Sequence, residues 1–232
     1  MGRGKSDRKR KQASKRKQKR KAGKIIRFVL ANSKVKYRGC SNKYAYQTNI
    51  HNLIYKDANF QNVNYRASII TKCNFRNANL EGVEFIYTNL RGSSFKGAKL
   101  TDVIFFGCNL KDVDFEKASF DNVHFINSNI REARNLDPDA NVRIMSKYPE
   151  LRLEFELAKI LYDLSSDENV YKYHTLHVNK KKFNMWFISL LLQGYSQAQL
   201  TRGLRAILRR ENKRGFYTVY SYKKFLKSYL KV

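Results

Sequence analysis

Large apolar side chains recur at every fifth position through the middle of the chain. From Tyr55 the series runs Phe60, Tyr65, Ile70, Phe75, Leu80, Phe85, Leu90, Phe95, Leu100, Phe105, Leu110, Phe115, Phe120, Phe125 and Ile130, with Ile50 in step before it. Two positions before each lies a small or β-branched residue, Leu53 excepted. A period of five belongs neither to an α-helix nor to a flat strand. Folded at twenty the pattern sharpens: Ala58, Ala78, Ala98 and Ala118 form one column and Val63, Val83, Val103 and Val123 the next. Tyr65, Phe85, Phe105 and Phe125 make an aromatic column, as do Tyr55, Phe75, Phe95 and Phe115, while Ile70, Leu90, Leu110 and Ile130 make an aliphatic one.

These columns predict a coil of twenty residues with four flat sides, each side supplying one large and one smaller inward residue. Stacking sets like on like at the ~4.8 Å spacing of neighbouring strands, and the sixteen pentapeptides make about four coils. The triplets Ala58-Asn59-Phe60, Cys73-Asn74-Phe75, Ala78-Asn79-Leu80, Cys108-Asn109-Leu110 and Val113-Asp114-Phe115 carry a small residue, then Asn or Asp, then Leu or Phe. This unit resembles that of the pentapeptide-repeat family. The resemblance implies an all-β right-handed quadrilateral β-helix and a non-catalytic protein. Some members, the quinolone-resistance type, bind DNA gyrase and topoisomerase IV and imitate DNA with an acidic rod. A protein-binding module docking on such a type II topoisomerase is therefore the alternative that the resemblance implies. Here the rod lacks the acid excess: residues 48–130 hold nine Lys/Arg and eight Asp/Glu. Some members also dimerise through a terminal extension, a role that residues 139–232 would fill in a homodimer.

Four segments follow. Residues 1–24 carry thirteen Lys/Arg and one Asp, with no aromatic residue, and are expected to be a disordered basic arm. Residues 25–47 break the pattern, since Arg38 and Lys43 fall where small inward residues belong, and are expected to cap the first coil. The β-helix itself takes residues 48–137, and Arg131 to Pro138 leaves it. Residues 138–232 form a basic, mostly helical domain expected to pack on the rod's end. Its predicted parts are a helix over Leu153, Leu157, Ile160, Leu161 and Leu164, with a strand as the rival for its first residues. A buried helix follows over Phe183–Leu192, then a helix opened by a Ser196/Gln199 capping box and running to about Arg210. Phe216–Tyr220 reads as a short strand and Tyr222–Leu230 as a basic helix.

The charge changes the picture most. Lys plus Arg number 47 against 19 Asp plus Glu, a net of +28, and the arm with residues 170–232 holds 25 of those charges. Such a balance attracts polyanions, so the function read from the residues is a non-enzymatic scaffold that grips DNA or RNA by its phosphates. The expected nucleic-acid contacts are Arg8, Lys9, Arg10, Lys11, Lys15, Arg16, Lys17, Lys19, Arg20 and Lys21 in the arm. In the C-terminal domain they are Arg202, Arg205, Arg209, Arg210, Lys213, Arg214, Lys223 and Lys224, interleaved with Tyr217, Tyr220, Tyr222 and Tyr229. Residues 187–210 have helix-turn-helix proportions, although Leu190 is bulky and Gly203 costs helix stability about 1 kcal/mol.

Catalysis is not expected. The chain has no Gly-rich phosphate loop and no nucleophile elbow, and no cofactor is implied. His174 and His177 would share a helical face but have no third ligand near in sequence. Cys73 and Cys108 fill inward positions as inert core residues, and with Cys40 make neither a disulfide framework nor a zinc pattern. No apolar run reaches membrane-span length. The expected location is cytoplasmic, or nuclear in a eukaryotic host, where Lys9-Arg10-Lys11 and Lys15-Arg16-Lys17 would serve as an import signal.

Overall fold

The computed structural model describes Ser14, residues 29–137 and residues 141–231. The expected basic arm, with Arg8 to Lys21, lies outside the described residues apart from Ser14. From Val29 to Met145 the chain winds as a parallel β-solenoid of about six turns. Its long side is built by β2 (Gly39–Tyr46), β4 (Asn59–Arg66), β6 (Asn79–Ile86), β8 (Ile104–Phe106), β10 (Val123–Ile126) and β11 (Val142–Met145), hydrogen-bonded in that order. A second side stacks β1 (Val29–Ala31), β3 (Asn49–His51) and β5 (Ile69–Thr71). The strands β7 (Lys99–Thr101) and β9 (Ser119–Asp121) extend the side begun by the first residues of β4 and β6. Single bridges Ile54–Asn74–Ser94–Asp114–Arg134 tie the fourth.

The register is the twenty-residue interval of the sequence, with Val63 opposite Val83 and Tyr65 opposite Phe85. Like therefore stacks on like. Tyr55, Phe75, Phe95 and Phe115 lie ring on ring at 5.1, 4.8 and 5.4 Å, and Tyr65, Phe85, Phe105 and Phe125 at 5.6, 5.3 and 4.8 Å. The corners explain the remaining period. A left-handed backbone recurs at every fifth residue from Asn42 to Asn127, and most of these positions are Asn, Asp or Gly, which adopt it at least cost.

The coil runs further than the side-chain pattern. Within residues 29–46, expected to belong to a cap outside the register, β1 and β2 pair at the regular interval, Val29 with Asn49, Lys43 with Val63 and Ala45 with Tyr65, while Lys36 between them bridges Ile54 two residues short of it. Arg38 and Lys43 stay exposed. The ladder uses only backbone N–H and C=O groups, so it continues where the apolar rule lapses. At the other end Arg134 still bridges Asp114, and β11 pairs with β10 one residue short of the regular interval. About six turns thus replace the four counted from the large residues.

The C-terminal region contains α1 (Phe155–Ser165), α2 (Glu168–Tyr171), α3 (Met185–Leu192), α4 (Gln197–Arg209) and α5 (Val219–Leu230), with a small hairpin of β12 (His177–Asn179) and β13 (Lys182–Phe183). α1 buries Leu157, Ile160, Leu161 and Leu164, as helical spacing requires, and α3 buries Trp186, Phe187, Ile188, Leu190 and Leu191. The Ser196/Gln199 capping box opens α4. The expected strand at Phe216–Tyr220 is instead a turn into α5, because Thr218 and Ser221 form a second capping box. These helices cover the side of the rod, not its end. Ile86, Ile104, Phe106 and Ile126, which alternate with the inward column, share one buried cluster with Trp186, Phe187, Ile188 and Val219.

Phe95, fully buried between two stacked rings, is the test of the column. Phe95→Ala is expected to lower unfolding free energy by about 3–5 kcal/mol in urea melts followed by circular dichroism. The exposed Tyr46→Ala should change it by less than about 0.5 kcal/mol.

Candidate nucleic-acid interface

The helical region is locked to the rod by a polar seam. On the rod, Asn64 of β4 and Glu84 of β6 point outward by strand alternation, and Asn62 stands at the left-handed corner just before Val63. Asn62 donates to the Gly215 carbonyl at 2.9 Å and accepts from the Thr218 hydroxyl at 2.7 Å. Asn64 donates to the Tyr217 carbonyl at 2.8 Å. The buried Glu84 accepts the Val219 N–H, the first of α5, so a carboxyl meets the positive end of the helix. Gly82 completes the fit. A Cβ there would lie 2.2 Å from the Tyr220 ring, and Tyr220 in turn donates its hydroxyl to Glu81 at 2.6 Å.

This docking creates a cleft of about 430 Å³ between rod and helices. The rod contributes Asn42, Gln61 and Asn62, the loop after α4 contributes Arg210, Arg214 and Phe216, and α5 contributes Ser221, Lys224 and Ser228. The Arg210 guanidinium sits 5.4 Å from the Phe225 ring centre and the Lys224 ammonium 5.9 Å from that of Tyr220, so both cations are braced on aromatic faces. Glu81 lies alongside, held below the usual carboxylate range by hydrogen bonds from Tyr220 and Gln61 and by the charge of Lys224. Three cations, two hydroxyls and amide groups in one cleft suit a phosphate-bearing ligand.

The other expected contacts are placed differently. Arg202, Arg205 and Arg209 are exposed on α4, with Arg205 paired to Glu156 at 2.9 Å. Lys213 turns inward to Asp167 at 3.2 Å, and Lys223 is turned toward Asp102, 4.0 Å away, and is largely covered. Gly203, an irregularity in a helix-turn-helix reading, has a packing reason, since a Cβ there would lie 2.0 Å from Leu226 of α5. His174 and His177 do not share a helical face, because α2 ends at Tyr171; His177 Nε2 meets the Leu161 carbonyl at 2.7 Å instead. Burial pushes the thiols of Cys73 and Cys108 up to about 11 and about 12, so both stay protonated. Sequence reasoning missed the seam residues Asn62, Asn64, Glu81 and Glu84. The available signal was the outward apolar row Ile86, Phe106 and Ile126, which marks the covered side.

Among the described residues no group of three or more His, Cys, Asp or Glu side chains is placed to hold a metal ion, and no helix is long and apolar enough to cross a membrane. A family model described as a pentapeptide repeat region matches residues 48–125. Among solved structures, the pentapeptide repeat protein Rfr23 from the cyanobacterium Cyanothece 51142 is 16% identical, over 46% of this chain and 87% of that one, with a TM-score of 0.36. A pentapeptide repeat protein from the Arabidopsis thaliana thylakoid lumen is 19% identical over 42% of this chain and 70% of its own, with a TM-score of 0.31. QnrB1, a plasmid-mediated fluoroquinolone resistance protein, is 17% identical over 47% of this chain and 65% of its own, with a TM-score of 0.22. A comparison with curated proteins finds no match.

The seam sets a pH dependence. Burial pushes the Glu84 carboxyl up to about 8, while burial and the charges of Lys223 and Arg143 push His124 down to about 4. A carboxyl raised on folding takes up a proton, so stability falls as pH rises toward 8; a histidine lowered on folding adds stability as pH rises to its ordinary value near 6.5. His174 and His177, which burial also lowers, act with His124, so the histidines oppose Glu84 below about pH 6.5 and the Glu84 decline shows above it. Unfolding free energy is expected to drop by about 2 kcal/mol between about pH 6.5 and 8, and Glu84→Gln to flatten that decline.

Proposed function

We propose that this chain, a pentapeptide-repeat protein over residues 48–125, is a non-enzymatic scaffold that holds nucleic acid through its phosphates. The observation that carries the reading is the cleft in which Arg210 and Arg214 of the loop after α4 and Lys224 of α5 converge against the amides of the rod. Evenly mixed charge would dissolve the protein equally well; here nearly half of the net charge lies in residues 170–232, which form the cleft's cationic wall. A phosphate contact needs reach and positive charge but no base-edge geometry, and this wall supplies both. The arm of residues 1–24 adds a second, sequence-independent grip. The rod keeps the cleft rigid, because Asn62 and Glu84 fix the loop from which Arg214 projects and the start of α5, which carries Lys224.

Each neutralised phosphate contributes about 0.9 to the slope of log affinity against log salt on duplex DNA. Replacing Arg210, Arg214 and Lys224 together by Ala should therefore lower that slope by about 2–3 in a titration of the full chain. Arg205→Ala, which removes a side chain already paired with Glu156, should lower it by less than about 1. Deleting residues 1–24 should reduce it further. Affinity independent of salt, or no binding of DNA or RNA at physiological salt, would overturn the reading and turn attention to a protein partner for the rod.

A further inference from the structure

A second cleft, of about 420 Å³, opens between the rod and the β12–β13 hairpin, lined by Tyr87, Phe106, Asn127, Tyr148, Lys182 and Trp186 among others. Its wall is a continuous arc of rings. Tyr87 lies 5.0 Å from Phe106, Phe106 lies 6.2 Å from Trp186, and Trp186 lies 5.7 Å from Tyr148. The two ends of the arc are open to solvent, with Tyr87 55% and Tyr148 47% exposed, while Trp186 is held in the core of α3. A cation stands at each end: the Arg66 guanidinium 5.9 Å from the Tyr87 ring centre and the Lys182 ammonium 5.9 Å from that of Tyr148. Lys180 and Lys181 extend the basic lip on the exposed hairpin turn.

An aromatic arc can take a cation, an apolar side chain or a flat ring. The charges decide between them. Cations already occupy both ring ends, and among the described residues that line the cleft none is acidic, so a second cation would be repelled. An apolar side chain would leave the lysine lip unused. A flat ring carried on an anionic chain uses both features, since the ring stacks on the arc while the lysines meet the charge.

We propose that this cleft binds an unpaired nucleobase of a single strand, the strand's phosphates lying along Lys180 to Lys182. The inference rests on the phosphate-binding reading above and adds a preference to it: single strands over duplexes. In a duplex the bases are stacked on one another and their faces are not free to enter the cleft.

The chain's single tryptophan is Trp186, so its fluorescence reports on this cleft directly. The full-length chain is titrated with oligothymidylate, oligouridylate, an abasic strand of equal charge and a duplex, and the first two distinguish DNA from RNA. Base-bearing strands should quench Trp186, whereas the abasic strand and the duplex should not. Tyr148→Ala and Tyr87→Ala should each weaken the base-bearing strands about 10-fold and leave the abasic strand unchanged, with Tyr148→Phe restoring affinity. Equal binding of base-bearing and abasic strands without quenching would overturn the base site and leave the phosphate reading standing. If no strand and no duplex binds, both readings fall.

Discussion

Parallel pairing at a fixed interval of twenty residues is the constraint on which every other feature of the molecule rests. Because the central turns repeat one register, the residues of the valine and aromatic columns face their own kind above and below. Stacked rings at about 5 Å and columns of alanine and valine fill the interior. The left-handed corners keep that interval constant, since an extra residue at one corner would displace every later column.

A rod built this way could present four similar sides to water, and this one does not. Ile86, Ile104, Phe106 and Ile126 make one side apolar on its outer surface, and the helices bury it. Apolar contact alone leaves the helices free to slide along the row. Asn62, Asn64 and Glu84 remove that freedom, because each finds its hydrogen-bond partner in one backbone stretch, Gly215 to Val219. Gly82 leaves room for the Tyr220 ring at the same place.

Both clefts are by-products of this docking. Each has one wall from the rod and one from the helical region, so neither exists in either part alone. The basic residues are sorted by it as well. Lys213 and Lys223 turn inward to Asp167 and Asp102, while Arg210, Arg214 and Lys224 remain at the mouth of a cleft. A run of positive charge that looks uniform along the chain is thereby divided into cations held in structural ion pairs and cations that face a cleft.

Much of this was legible from residues alone. The period of five with columns at twenty specifies the solenoid, because an inward position tolerates only apolar or small side chains and so writes its spacing into the chain. The helix over Leu157 to Leu164, the buried helix at Trp186 to Leu191 and the capping box at Ser196 were readable for the same reason: their signals are local. The solenoid's true length was not readable, since β1, β2 and β11 continue a backbone ladder that any side chain can join. The face that the helices cover, the selection of Arg210, Arg214 and Lys224 from many basic residues, and the aromatic arc from Tyr87 to Trp186 were decided by tertiary structure. Each depends on which distant outward positions meet, and apart from the apolar row Ile86, Phe106 and Ile126 the outward residues repeat no column from which that meeting could be read.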